Sequence, residues 1–216
     1  MRIYLLSDQK VDGAISLPML TVNYLPPTSL PLGYEALILT SRHALTSLTL
    51  SNLDWRQIPA FCVGKKTAKR VEQEGGVIGG IAPEGVGEQL LIPMRESGFR
   101  RFWWPSGRDV ATDIVTMAKG EGFEVIRTVV YETRCTDTTS ENQRPLPGST
   151  IIFTSPKTAH CFLERYGWEE GWRAVAIGPT TLAALPDSLN ASLSPKPDFE
   201  SAVAWAMGLL KRVIEF

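Results

Sequence analysis

Short apolar runs alternate with longer amphipathic segments along most of this chain. The runs predict buried strands of parallel sheets, because strands covered on both faces are apolar throughout. They lie at 3–6, 36–39, 60–63, 102–104, 150–153 and 174–177, and two less apolar runs at 20–24 and 124–133 are also predicted as strands. Helices are predicted over 42–50, 65–74, 86–96 and 108–119, then from Pro156, from Thr180 and over 199–213. Strands that alternate with helices in this way predict an α/β fold.

Part of this pattern occurs twice. Residues 36–41 (ALILTS) return at 150–155 (TIIFTS), and 61–68 (FCVGKKTA) return at 175–182 (VAIGPTTL) with the same spacing. A repeat this long exceeds a solenoid unit, so each copy is predicted to form a small domain. Two similar lobes would enclose a cleft, and clefts are where small ligands bind.

The copies are not expected to be tandem domains. The run 124–133 is rich in β-branched residues and long enough to pass from one lobe to the other. Pro26, Pro27 and Pro31 mark an irregular crossing segment nearer the start. We expect a discontinuous terminal lobe of 1–22 plus 136–216, an inserted lobe of 26–127, and connector strands over 20–27 and 127–136. The segment 137–147 is polar and without pattern.

Composition narrows the range of partners. The chain has 216 residues, 44% of them apolar and 21% charged, with a net charge of −1. These values are ordinary for a globular protein and give no electrostatic reason to expect nucleic acid or an anionic membrane. A small polyanion remains compatible, because helix N-termini bind anions without net positive charge. A monomer is the default expectation for two self-sufficient lobes.

Cysteine usage and the N-terminus predict a cytoplasmic location. Cys62, Cys135 and Cys161 are odd in number and lack metal-ligand spacing, so free thiols are expected, as in a reducing compartment. The chain meets polar residues from Ser7 onward, which leaves no signal-peptide core. No apolar run approaches the roughly 20 residues of a membrane helix.

Small polar residues follow the predicted strands where helices open. Ligands of parallel α/β sheets lie beyond the carboxyl ends of the strands, and helix N-termini there offer unpaired N–H groups to carboxylate or phosphate. The candidate binding residues are Ser41, Gly64, Thr67, Ser106, Gly107, Ser155, Gly178, Thr180 and Thr181. For any one of them, capping the helix is the simpler interpretation. Only their recurrence around one expected cleft favours a ligand.

Other chemistries find no support in the residues. No glycine-rich nucleotide motif follows a strand, and no Ser/His/Asp arrangement can be argued from spacing. His43 and His160 are the only histidines, and neither has a partner at metal spacing, so each is interpreted as a side chain near the start of a helix. Trp103 and Trp104 are interpreted as part of a buried strand.

Five short segments follow one another in a fixed order: 39–41 (LTS), 63–68 (VGKKTA), 130–133 (VYET), 153–156 (FTSP) and 176–181 (AIGPTT). In this order they resemble the uroporphyrinogen-III synthase family. The resemblance implies two flavodoxin-like parallel-sheet lobes joined by a two-stranded β connector. It also implies conversion of hydroxymethylbilane, a linear polycarboxylate tetrapyrrole, into uroporphyrinogen III with loss of water and inversion of ring D. No metal or organic cofactor is implied.

The resemblance also assigns residues. It maps the family's inter-domain tyrosine to Tyr131, which would assist departure of the substrate hydroxyl or, alternatively, only pack the connector. Thr67, Ser155 and the pair Thr180 and Thr181 match the family's helix-opening hydroxyls. The segment 7–18 is too short for the helix that the family carries between its first two strands, so one flank of that sheet is expected to be bare or covered otherwise. The rival hypothesis is a non-catalytic cytoplasmic bilobal binding or sensor protein.

Overall fold

The computed structural model describes residues 2–137 and 144–214, with the side chains of the last helix described as far as Gly208. The chain divides into two compact units, Met1–Thr21 with Arg134–Phe216 and Val22–Thr133. Helices alternate with strands of parallel sheets in both units, which confirms the predicted α/β class. Most of the polar segment expected at 137–147 lies outside the described residues.

The first unit is built on five parallel strands. They are β1 (Ile3–Leu5), β2 (Ile15–Ser16), β9 (Thr150–Phe153), β10 (Arg173–Ala176) and β11 (Ser192–Leu193). Their order across the sheet is β11-β10-β9-β1-β2. Counted along the chain, this is the 2-1-3-4-5 order of flavodoxin-like folds. Strand β2 was not predicted, because only two residues of its short segment enter the sheet.

Helices cover both faces of this sheet. They are α5 (Pro156–Tyr166), α6 (Pro179–Ala183) and α7 (Phe199–Ile214). On one face Phe153 meets Phe162 of α5 edge-on, with ring centroids 5.5 Å apart. On the other face Ala202, Val203 and Ala206 of α7 pack in one buried cluster.

Helix α7 also covers the flank that the short segment 7–18 was expected to expose. Met207 packs beside Val11 and Ala14, which lie between β1 and β2. Gly13 has a φ of +87°, and a Cβ there would overlap the Met207 methyl group. Met207 could move aside, so the positive φ is what favours glycine at this position.

The second unit is built on a six-stranded sheet. Its strands are β3 (Leu20–Tyr24), β4 (Ala36–Leu39), β5 (Ala60–Cys62), β6 (Ile78–Ile81), β7 (Arg101–Gly107) and β8 (Glu124–Cys135). The order across the sheet is β3-β8-β7-β4-β5-β6, and the pairs from β8 to β6 are parallel. Counted along the chain, the parallel part runs 3-2-1-4-5. It is doubly wound, and it departs from the flavodoxin-like order that the resemblance implied.

Strict alternation along the central strands divides the core of this unit into two layers. Ala36 and Ile38 face one layer, while Leu37 and Leu39 face the other. Trp103 and Trp104 are split in the same way and are almost fully buried, as predicted for a strand covered on both faces. The helices are α1 (Arg42–Leu50), α2 (Lys65–Gln73), α3 (Leu91–Glu96) and α4 (Ile114–Gly120), with a 3₁₀ turn at Gly87–Leu90 before α3.

In this unit one helix start was predicted wrongly and one strand was not predicted. The helix expected over 108–119 begins only at Ile114, where the Asp113 carboxylate caps α4 by accepting from the Thr116 N–H. The reason is that β7 continues to Gly107, so Ser106 and Gly107 belong to a strand and do not open a helix. Strand β6 was not predicted because its two central glycines have low strand propensity. The structure shows why glycines lie there: a Cβ on either would crowd the Phe61 ring.

The expectation of three free thiols was also wrong. Cys135 and Cys161 form a disulfide with their Cα atoms 5.4 Å apart, and only Cys62 is a free thiol, buried in the second unit. Strand β8 continues two residues past its predicted end and thereby brings Cys135 beside α5. The thiol argument for a reducing compartment therefore does not hold, and the cytoplasmic location stays a prediction. Within the described residues, no helix is long and apolar enough to cross a membrane.

Candidate functional site

A cleft of about 410 Å³ opens at the carboxyl edge of the second unit's sheet. It lies where the chain leaves β4 and β7, the neighbouring strands at which the strand order reverses. Ligands of open α/β sheets bind at this switch point. The lining residues are Thr40, Ser41, Val63, Gly85, Val86, Gly87, Glu88, Trp104, Asp109, Val110, Ala111, Thr112, Ile114 and Tyr131.

Ser41 and Tyr131 are the predicted site residues that this cleft contains. Ser41 is the N-cap of α1, where its hydroxyl accepts the His43 N–H at 3.1 Å. Capping uses one lone pair of the Ser41 oxygen and the His43 N–H, so a ligand at this turn would meet the Ser41 O–H and the remaining backbone N–H groups. Beside it, the Thr40 hydroxyl lies 3.5 Å from the indole N–H of Trp104, which forms an apolar part of the wall.

Tyr131 is held in place by its backbone and by two neighbours. Its carbonyl accepts the Arg108 N–H at 3.0 Å, and its ring centroid lies 5.5 Å from that of His43. The ring also lies directly over Gly107, where an added Cβ would be 2.7 Å from the ring carbon that bears the hydroxyl. Among the described residues, the Tyr131 hydroxyl has no hydrogen-bond partner. A phenol that borders a cleft without a partner is available to a ligand.

Ser106 and Gly107 support this arrangement from within the sheet and do not line the cleft. Ser106 is fully buried, donates its hydroxyl to the Gly107 carbonyl and accepts Nε–H of Arg127 at 2.9 Å. Arg127 also donates to the carbonyls of Gly107 and Arg108, both at 2.9 Å. These bonds fix the end of β7 from which the cleft loop departs.

The other predicted residue pair of this unit lies at the start of α2. Gly64 is the N-cap and has no side chain to offer, so the first turn of α2 presents backbone N–H groups. Thr67 is three residues further along the chain and is buried, with 9% of its surface exposed. Neither residue lines the cleft, although their neighbour Val63 does.

Four predicted residues belong to the first unit, where they open helices. Ser155 caps α5 in a reciprocal capping box with Thr158. Gly178 is the N-cap of α6, Thr180 is exposed, and Thr181 is buried. The helix-opening positions predicted from the repeat are thus present in both units.

The charge of the cleft was not anticipated. Glu88 and Asp109 are its only charged lining residues within the described chain, and both are acidic. The Thr112 hydroxyl donates to Glu88 at 3.3 Å. Asp109 could have been predicted as a site residue, because it lies close after the small pair at 106–107. It was not, because a helix was expected to start at residue 108. His43 was interpreted as a helix-start side chain, and its contact with Tyr131 gave no local signal.

The remaining groups with potential for chemistry are the Cys62 thiol and possible metal ligands. Burial raises the pKa of the Cys62 thiol to about 12, so this cysteine stays protonated and inert at neutral pH. Within 2–137 and 144–214, no cluster of three or more His, Cys, Asp or Glu side chains could hold a metal ion.

A doubly wound parallel sheet with a cleft at its switch point defines the class of α/β proteins that bind small molecules at the carboxyl edge of the sheet. The profile of the family described as uroporphyrinogen-III synthase HemD matches residues 13–204 of the chain. The chain therefore belongs to the uroporphyrinogen-III synthase family. This confirms the resemblance and, with it, the predicted activity as a cyclising lyase of tetrapyrrole biosynthesis. The non-catalytic rival is not favoured.

Individual relatives agree with this assignment. A uroporphyrinogen-III synthase from Synechococcus elongatus is 28% identical over 203 residues, which cover 80% of this chain and 76% of the relative. The crystal structure of uroporphyrinogen-III synthetase from Helicobacter pylori superposes with a TM-score of 0.81 at 24% identity, covering 97% of this chain and 100% of that one. A mutant uroporphyrinogen III synthase from Thermus thermophilus gives 0.50 at 12% identity, covering 92% and 88%. The two structural likenesses concern the fold.

Proposed function

We propose that this chain closes hydroxymethylbilane to uroporphyrinogen III at the switch-point cleft, with Tyr131 as the proton donor. The observation that carries the proposal is the Tyr131 hydroxyl, which borders the cleft with no hydrogen-bond partner among the described residues while its ring contacts Gly107 and His43. A phenol so placed can protonate a leaving hydroxyl group within hydrogen-bond reach.

Tyr131 alone can donate the proton that the reaction needs and recover it at the end. The Tyr131 O–H transfers its proton to the substrate hydroxyl, the C–O bond breaks, and water leaves with an azafulvenium cation behind it. The cation forms a carbon–carbon bond to the substituted α-carbon of ring D, which gives a spiro intermediate. The bond from that carbon to the ring C methylene then breaks, and the cation released on ring C bonds to the unsubstituted α-carbon of ring D, so that the macrocycle closes with ring D inverted. The ring carbon then loses a proton, which returns to the Tyr131 phenolate. The net change is loss of one water.

The acidity of the cleft suits this intermediate. The carboxylates of Glu88 and Asp109 would stabilise a positive charge that develops beside them and would repel the substrate's own carboxylates. Apolar wall residues such as Trp104 and Val110 fit the faces of pyrrole rings. The cleft therefore suits the reacting pyrroles, and the substrate carboxylates must be bound away from Glu88 and Asp109.

We assign the carboxylates to helix-opening turns. In the second unit these are the turns at Ser41 and at Gly64 with Thr67, and in the first unit those at Ser155 and at Gly178 with Thr180 and Thr181. The proposal follows the helix-opening positions that the sequence repeat predicts in both copies. It is supported by the unpaired N–H groups of first helical turns, which attract anions.

Positioning can supply most of the selectivity that is needed. The same substrate closes without an enzyme to the uninverted isomer, so the protein mainly selects the direction of closure. A hundredfold preference corresponds to about 2.7 kcal/mol of differential barrier. Holding reactants in one orientation contributes this much or more.

The test is Tyr131→Phe, which removes one oxygen and keeps the ring. The variant is incubated with fresh hydroxymethylbilane, the products are oxidised, and the type I and type III isomers are separated. We expect type III formation to fall by about 100-fold or more, as for loss of a general acid. Tyr34→Phe is the matched control, because Tyr34 is half-buried against Trp103 in the same unit and does not line the cleft.

Two results would contradict the proposal. A Tyr131→Phe variant with the unchanged rate would remove the acid role. Formation of type I product alone by the unmodified chain would remove the enzymatic assignment.

A further inference from the structure

Tyr24 and His43, neither of which was predicted as a site residue, lie in a row with Tyr131. The Tyr24 hydroxyl is 2.9 Å from Nδ1 of His43, which is hydrogen-bond distance. The ring centroids of Tyr24 and His43 are 6.0 Å apart, and those of His43 and Tyr131 are 5.5 Å apart. The three rings therefore form a continuous row, Tyr24–His43–Tyr131.

The row joins three separate elements of the second unit. Tyr24 ends β3, His43 is the second residue of α1, and Tyr131 lies in β8. The backbone of His43 is fixed as well, because its N–H donates to the capping Ser41 hydroxyl. With its backbone held by the cap and its ring held by Tyr24, His43 presents a fixed surface to the Tyr131 ring.

We propose that Tyr24 and His43 are positioning residues for Tyr131, a role that rests on the proposed function of Tyr131 as the acid. His43 is not among the residues that line the cleft, so it acts on the reaction through the phenol it touches. The Tyr24 hydroxyl keeps the imidazole in one orientation, and the imidazole limits the rotation and tilt of the Tyr131 ring.

The physical reason is the sensitivity of proton transfer to placement. The oxygen of a tyrosine lies on the axis of its second side-chain torsion, so its position depends on the first torsion and on the tilt of the ring, both of which packing against the ring restricts. A general acid must lie within hydrogen-bond reach of the leaving group, and a misplacement of about 1 Å costs on the order of 100-fold. Two contacts restrict the position of the Tyr131 ring: one with Gly107 and one with the His43 ring.

The test is a double-mutant cycle of Tyr24→Phe with Tyr131→Phe. Tyr24→Phe removes the hydrogen bond to His43 and retains the ring. We expect kcat for type III formation to fall about 3- to 10-fold, which is the effect of losing one hydrogen bond, with KM unchanged. In the Tyr131→Phe background the same substitution should cost nothing further, because no acid is left to position.

A second variant and a control make the cycle decisive. His43→Phe keeps an aromatic ring without the Nδ1 atom that meets the Tyr24 hydroxyl, and it should match Tyr24→Phe in kcat. Tyr34→Phe removes a hydroxyl from the same unit outside the row and should leave both constants unchanged. Urea denaturation of every variant verifies that the fold is retained.

The outcomes separate this inference from the function on which it rests. A wild-type kcat for Tyr24→Phe, or equal losses from Tyr24→Phe with and without the Tyr131 hydroxyl, would overturn the positioning role alone. A wild-type kcat for Tyr131→Phe would overturn the acid role and with it this inference. A fall in kcat that disappears in the Tyr131→Phe background supports it.

Discussion

Gly107→Ala tests the placement of Tyr131 from the opposite direction, by adding one methyl group beneath its ring. The new Cβ would be 2.7 Å from the ring carbon that bears the hydroxyl and 2.8 Å from the hydroxyl oxygen. Gly107 is not in the left-handed region of φ, so alanine adds no backbone strain. The clash with the Tyr131 ring is therefore the main consequence of the substitution.

The magnitude follows from these distances. Ordinary contact begins near 3.4 Å, so the end of the ring must retreat by about 0.7 Å. Overpacking of this size costs about 1–3 kcal/mol of unfolding free energy. The catalytic cost is expected to be larger, because a displacement approaching 1 Å lowers rates by up to about 100-fold. We expect kcat to fall by about 10- to 100-fold in a protein that still folds.

The assay is the rate of type III isomer formation under saturating substrate, together with urea denaturation. Gly120→Ala is the control, since Gly120 is exposed at the end of α4 and a Cβ there meets nothing within 4 Å. A wild-type kcat for Gly107→Ala would refute the argument that the hydroxyl position is critical. Additional loss when Gly107→Ala is introduced into Tyr131→Phe would show that the methyl group acts on something other than the acid.

Three further predictions concern the disulfide, the free cysteine and a helix cap. Reduction of Cys135–Cys161 should lower the unfolding free energy by about 3–4 kcal/mol, since the bond closes a loop with a sequence separation of 26; superimposed urea curves with and without dithiothreitol would contradict this. Because burial raises the pKa of Cys62 to about 12, a thiol reagent at pH 8 should find no free thiol in the native protein and one in urea. Ser155→Ala should cost about 1 kcal/mol of stability through loss of its cap, and raised KM at unchanged stability would instead indicate direct binding by the side chain.

Local signals account for the part of the fold that the sequence predicted. Strands β4 and β9 are short, mostly apolar and followed by Thr-Ser, so their ends and the helices after them could be placed within a residue. The caps at Ser41 and Ser155 follow from residue type alone.

Long-range contacts account for what the sequence did not predict. The pair Ser106-Gly107 has turn composition, yet Arg127 and Tyr131 hold it in a strand from more than 20 positions away. His43 matters because of Tyr24, which is distant in sequence and brought near by the sheet. The Cys135–Cys161 bond likewise depends on where β8 ends. None of these partners is visible in a window of neighbouring residues.

The interleaved threading of the first unit also bears on how the chain folds during synthesis. The Thr154 hydroxyl donates to the Leu6 carbonyl across a separation of 148 residues, and β1 pairs with β9. At typical translation speeds the ribosome needs roughly 7 to 30 s to make that intervening chain. During that interval the second unit, Val22–Thr133, is complete, while β1 waits with one hydrogen-bonding edge unpaired. The inserted unit can thus fold first, and the apolar N-terminal strand depends on the last third of the chain for its burial.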